Sequence, residues 1–135
     1  MVRGERLIQR KKERLRGIVR ALAAAAMIAI GVAHFASPDG FVRIVPGGLP
    51  AKLLLVQLSG FFEVLGGLGL LVPRVRRAAG LGLALLFVAV FPANVNMVLH
   101  PELGGSLPVW LLWARLPFQL VFIALVFWIS REKRD

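Results

Sequence analysis

The sequence contains no cysteine. The chain therefore cannot run thiol–disulfide chemistry itself, nor hold an iron–sulfur cluster on its own thiolates. Charge is also scarce: 18% of residues are Asp, Glu, Lys or Arg, against about a quarter in an ordinary soluble domain. No apolar stretch alternates with period two over ~10 residues, which argues against a membrane barrel. There is no internal repeat and no low-complexity segment. The basic residues have no interleaved aromatics or recognition motif, so no nucleic-acid partner is expected despite a net charge of +10.

What is present is apolar. Of 135 residues, 58% are hydrophobic, and the mean hydropathy is +0.76. Length allows one domain. Four long apolar stretches stand out, at Ile18–Ala36, Lys52–Val72, Ala78–Leu99 and Val109–Ser130. Each is about 20 residues, enough to cross a ~30 Å hydrocarbon core as a helix. The expected fold class is all-α, an integral membrane four-helix bundle. The first stretch has small residues at 31–33, as a leader cleavage site does. Its basic flank is long and its apolar run continues, so it reads as a retained span.

Basic residues sort to one side. Arg3, Arg6, Arg10, Lys11, Lys12, Arg14, Arg16 and Arg20 precede or open the first stretch. Arg74, Arg76 and Arg77 join the second and third, and Arg131, Lys133 and Arg134 follow the fourth. The other two links hold only Arg43 and Lys52. The positive-inside rule then puts both termini in the cytoplasm, N-in/C-in, with the bilayer itself as a partner. Three parts follow: a basic arm over 1–17, a four-span domain over 18–130 and a cytoplasmic tail over 131–135. Attraction of the arm to anionic lipid is compatible with this.

The links carry signals too. Residues 37–52, SPDGFVRIVPGGLPAK, hold a Pro38-Asp39-Gly40 turn and helix breakers at Gly47, Gly48 and Pro50. Phe41, Val42, Ile44 and Val45 are too apolar for a free loop. They suit an interfacial segment, or a lid over an outward-opening cavity. Trp110, Trp113 and Trp128 lie toward the ends of the fourth span, where interfacial aromatics sit. Ala25, Ala29 and Ala33, then Gly66, Gly67 and Gly69, then Ala89 and Ala93, offer small surfaces for close helix approach. They fit a compact monomer better than a dedicated dimer face; an oligomer stays open.

Polar residues inside the spans mark the candidate site. A charge near a helix centre costs ~2.5–3.5 kcal/mol on insertion scales, so intramembrane charges are functional by default. At 1.5 Å per residue, Glu63 lies ~16 Å from the outer end of its span, Gln119 ~15 Å, Arg115 ~9 Å and Asn94 ~7–8 Å. His34 falls near the outer end of the first span. Ser59 and Glu63 share a face at i, i+4, as do Arg115 and Gln119. Asn94 and Asn96 do not, and Asn94 is taken as the inward one. The expected pocket therefore combines Glu63, Arg115, Gln119, Asn94, Ser59 and His34 in the outer half. Glu63 is expected to be ionised and paired with Arg115, directly or through Gln119. Pro92 and Pro117 free carbonyls at the same level. No metal site and no haem is expected from His34, His100 and Glu63.

These fragments together resemble a known family. "HF" at 34–35 with Pro38 and Phe41, "IVP" at 44–46, "LP" at 49–50, "SGFFE" at 59–63 and "GLGLLVP" at 67–73 are followed by "RR" at 76–77, "FPAN" at 91–94 and "RLPFQ" at 115–119. In order and spacing they look like DoxX-like membrane proteins over residues 17–130; the arm at 1–16 lies outside. The resemblance implies a four-helix inner-membrane protein of bacteria or archaea. The family's name comes from a subunit of a thiosulfate:quinone oxidoreductase, and its relatives act as membrane partners of redox proteins or as assembly factors. The polar positions that carry over are Glu63, Asn94, Arg115 and Gln119. The cysteines of some redox relatives have no counterpart here. The implied function is an accessory subunit or partner of a quinone-linked membrane redox system. A non-enzymatic scaffold or assembly factor is the alternative, and a small-molecule transporter the second. Catalysis by the chain itself stays open. No cofactor is evident in the residues, and quinone is the candidate that the resemblance supplies.

Overall fold

In the computed structural model, residues 2–131 are described. The tail residues Lys133 and Arg134 lie outside that range. Five helices follow one another: α1 (Val2–Ala36), α2 (Asp39–Ile44), α3 (Lys52–Leu71), α4 (Arg76–Leu99) and α5 (Val109–Ile129), with a 3-10 turn at Pro101–Gly104 before α5. No strand occurs among the described residues. α1, α3, α4 and α5 are each long and apolar enough to span a membrane. Their boundaries match the apolar stretches closely, except that α1 begins well before Ile18. The arm is rich in Arg, Lys, Leu and Glu, all good helix formers, so it continues the first span. At 35 residues, α1 is roughly 52 Å long, far more than a ~30 Å core needs.

Helices α1 and α3 make the most extensive contact, then α4 packs on both α3 and α5, and α1 touches α5 lightly. The seam residues explain the first pair. Ala24, Met27, Gly31 and His34 are buried on α1; Val56, Gly60, Glu63, Gly67 and Leu70 are buried on α3. Both series step by three and four residues, the spacing that keeps one stripe against a partner helix. Gly31 sits against the Gly60 carbonyl, and Gly67 against the Ala24 carbonyl. Backbone meets backbone there, the close approach that small residues permit. Gly66 packs under Leu83 and Gly69 against Ala79 on α4.

The alanine stripe expected on α1 is not this seam. Ala25 and Ala29 are exposed and Ala33 is half-buried. One residue turns a helix face by about 100°, and glycine at 31 admits a closer neighbour than alanine does. On α4, Ala89 is exposed and Ala93 half-buried; the core face is Gly80, Leu83, Ala84 and Phe87.

Two apolar clusters result. The larger gathers Ala23, Ala24, Met27, Leu70, Leu83, Phe87, Val126 and Ile129. The smaller gathers Met97, Val98 and Leu112, with Ile44 and Leu116 packed against it. On α4 and α5 the polar residues Asn94 and Gln119 fall between them. The outward faces remain apolar, with Leu54, Phe61, Leu65, Leu85, Val88, Phe118 and Val121 all exposed. Such a surface suits lipid and is rare on monomeric soluble proteins.

The alternating helices bring Arg20, Arg76 and the end of α5 together at one end. There Arg20 Nε donates to the Ile129 carbonyl at 2.7 Å and Arg76 Nε to the Leu70 carbonyl at 2.8 Å. Each satisfies a last-turn carbonyl and places positive charge at a helix C-terminus, where the dipole favours it.

Candidate functional site

The opposite end holds the polar residues. α1 stops at Ala36 while α3 continues outward: His34 lies against Gly60, so residues 52–57 project beyond α1. The step is roughly 8–9 Å deep at 1.5 Å per residue. α2 fills it. Phe41 stacks on the His34 ring with centroids 3.8 Å apart and planes at 19°. At the other end of α2, the Ile44 side chain joins the smaller apolar cluster, and Asn96 Nδ2 donates to the Ile44 carbonyl at 3.0 Å. The apolar residues of the link between α1 and α3 thus pack on this end of the bundle from both sides.

Glu63 and His34 are both buried, with side chains 9% and 10% exposed, and meet at 3.5 Å between Oε2 and Nδ1. The Nδ1 also contacts the Ile30 carbonyl at 2.7 Å. A carbonyl only accepts, so that contact places a proton on Nδ1 and leaves Nε2 as the ring's other polar edge. Gly60 makes room for the ring: a side chain there would collide with His34.

A second polar group lies between α4 and α5. Asn94 Nδ2 donates to Gln119 Oε1 at 2.6 Å, and Gln119 Nε2 donates to the Phe87 carbonyl. Phe87 immediately precedes Val88, the residue whose carbonyl Pro92 leaves without its helical donor. Gln119 is buried; Asn94 is half-buried.

The expected Glu63–Arg115 pair does not form. Arg115 is half-buried with its Nη1 3.8 Å from Met97 Sδ. Among the described residues Arg115 makes no ion pair. The reason is the arrangement of helices. α3 packs on α1 and α4, and α5 lies across the bundle from it, so Glu63 meets a neighbouring helix instead of the diagonal one. The six residues expected to share a pocket divide accordingly. His34 and Glu63 belong to the α1–α3 seam, and Asn94 and Gln119 to the α4–α5 seam. Arg115 lies farther out, and half-buried Ser59 makes no side-chain hydrogen bond among the described residues. None of the six lines the shallow recess of about 340 Å³ between α3 and α4, whose walls include Phe62, Leu65, Gly66, Leu83, Leu86 and Ala89.

Sequence reasoning missed Asn96, which turns away from Asn94 but anchors α2. It also missed how closely His34 approaches Glu63. Counting depth from the end of each span assumes that all spans end level, and here they do not. The cue available was HF at 34–35 next to apolar Phe41, because a short link holds those rings together.

The family described as "Domain of unknown function (DUF8561)" matches residues 22–130, and the chain belongs to that family. No curated protein and no solved structure matches the chain.

Proposed function

We propose that the chain is a DoxX-like multi-pass protein of a bacterial or archaeal inner membrane, with both termini cytoplasmic, and that it serves as an accessory subunit of a quinone-linked redox system. The observation that carries this reading is the buried Glu63–His34 contact beneath Phe41. A carboxyl and an imidazole held together in an apolar bundle are costly, which favours a use for them. They also form a donor–acceptor pair suited to a quinone carbonyl and its proton. Reduction of a quinone to its quinol takes two electrons and two protons, which end as two O–H groups. A redox partner would supply the electrons. His34, with Nδ1–H held by Ile30, would take up a second proton at Nε2 and donate it to the headgroup, and Glu63 would pass protons.

Orientation is supported by the arginine-rich end of the bundle. The chain has no cysteine, so each introduced cysteine is the sole target of a thiol reagent. A cysteine at Ser106 should react with a membrane-impermeant reagent from outside intact cells, and one at Arg3 only after lysis. A cysteine at Phe41 should react far more slowly than one at Ser106. The reverse sidedness would sink the topology, and equal rates at 41 and 106 would remove α2 from the bundle mouth.

Quinone binding is tested with a photoreactive quinone analogue on the purified full chain. Crosslinks should fall near His34 and Glu63. Glu63→Gln and His34→Gln should each cut crosslinking by about tenfold, the effect of losing one good hydrogen bond at ~1.4 kcal/mol. Unchanged crosslinking in both variants would end the quinone reading. One observation favours the non-enzymatic scaffold as a second reading: Asn94, Gln119 and the Phe87 carbonyl satisfy one another, as a structural pin between α4 and α5 would.

A further inference from the structure

The arginine-rich end of the bundle contains a second constellation, distant from Glu63. Arg16 and Arg20 share a face of α1 at i, i+4. Arg16 lies over Trp128 and Arg20 bonds the neighbouring Ile129 carbonyl; Arg76 opens α4 one turn before Gly80, which sits against Ser130 at the same end of α5. Among the described residues Glu13 is the carboxylate beside them, bound to Arg16 Nη1 at 2.9 Å. Among the described residues, three guanidiniums therefore gather here with one carboxylate. Arg20 and Arg76 each engage a backbone carbonyl through Nε. That leaves the paired Nη edge of each without a partner among the described residues. Arg16 Nε is buried and has no hydrogen-bond partner among the described residues. Its guanidinium lies 5.7 Å from the centre of the Trp128 ring.

We infer that Arg16, Arg20 and Arg76 form a binding site for the phosphate headgroup of an anionic phospholipid, at the junction of α1, α4 and α5. A phosphate supplies acceptor oxygens suited to guanidinium edges and offsets the uncompensated charge. Basic pockets at the cytoplasmic ends of spanning helices recognise lipid headgroups in this way. A lipid is favoured over free phosphate because apolar surface borders the arginines. Half-buried Val19 lies between Arg16 and Arg20 on the same side of α1, and half-buried Trp128, over which the Arg16 guanidinium sits, provides an interfacial ring. The site rests on the reading of the bundle as membrane-embedded. It does not depend on which way the bundle faces or on any role for Glu63.

The test uses the full chain purified in an uncharged detergent, with phosphatidylglycerol or phosphatidylcholine added at equal mole fraction. Retained lipid is counted by native mass spectrometry. Phosphatidylglycerol should be retained and phosphatidylcholine lost. Arg20 and Arg76 also cap helices, so their removal risks the fold. Arg16→Gln removes no cap, and it should weaken phosphatidylglycerol retention about tenfold with helicity unchanged. The triple substitution Arg3→Gln, Arg6→Gln, Arg10→Gln removes more charge and should leave retention intact. Equal retention of both lipids, or an equal loss in the arm variant and Arg16→Gln, would mean diffuse attraction and overturn the site. Displacement of the lipid by millimolar inorganic phosphate would make the ligand a free anion and overturn the lipid assignment. A bundle inserted the other way round would still retain the lipid in detergent, so that failure is separable from this one.

Discussion

Gly60→Val is expected to be the most damaging single substitution outside the charged residues. A Cβ at position 60 would lie 2.6 Å from His34 Cβ and 2.8 Å from the Gly31 carbonyl oxygen. Neither neighbour is the free end of a flexible side chain. The Gly31 oxygen belongs to α1 backbone, and the His34 ring is held by Phe41 and by the Ile30 carbonyl. Relief therefore requires α1 and α3 to move apart along the closest seam in the bundle. Overpacking of this kind costs about 1–3 kcal/mol, sometimes more, and valine at this crossing belongs at the upper end. The measurement is reversible unfolding in mixed detergent micelles. Gly82→Ala provides the contrast. Its Cβ would meet nothing within 4 Å, and alanine is better than glycine inside a helix by roughly 0.5–1 kcal/mol. That variant should be no less stable than the parent. A Gly60→Val protein as stable as Gly82→Ala would place the α1–α3 crossing elsewhere.

The same seam explains what the sequence could and could not disclose. Span positions were legible because twenty apolar residues between Pro- and Gly-bearing links admit few alternatives. Lys52, Leu99 and Val109 are helix ends in both readings. The glycines of α3 were legible as contact points, because a side chain at Gly66, Gly67 or Gly69 would collide with a neighbour. Which helix each face meets was not legible. Hydrophobic periodicity is weak when the lipid side is as apolar as the core. Ala25, Ala29 and Ala33 look as suitable for packing as Ala24 and Gly31, and only the partner helix distinguishes them. Depth along a span was legible to about a turn, but relative heights were not. The outward projection of α3 past Ala36 brings His34 level with the Gly60–Glu63 turn. It also creates the step that α2 occupies. Composition alone pairs Glu63 with Arg115, because each is the other's complement in charge at a similar depth. The diagonal placement of α3 and α5 keeps them apart.

That difference sets the second large effect, a set of double substitutions centred on Glu63. Stability in detergent should show coupling between Glu63 and His34, and little between Glu63 and Arg115. Glu63→Gln and His34→Gln each leave the other partner buried without its counterpart. Leaving a buried polar group without its partner costs about 1–3 kcal/mol, more where it is charged. His34→Gln also removes the ring on which Phe41 stacks, so its single effect exceeds the pair's own contribution. The cycle cancels that extra loss and isolates the interaction. Contacting residues couple by about 0.5–3 kcal/mol, whereas distant ones add within ~0.3–0.5 kcal/mol. The double variant Glu63→Gln, His34→Gln should therefore recover part of the summed loss, while Glu63→Gln, Arg115→Gln should show simple addition. The folded double variant then separates the proposed roles. If the pair serves a quinone and its protons, the variant stays folded but no longer supports electron transfer by the redox partner. If the pair only fixes the register of α1 against α3, the rescued protein keeps partner binding and turnover. Coupling to Arg115 larger than coupling to His34 would show that Glu63 turns toward α5 in the membrane, and the α1–α3 site would have to be abandoned.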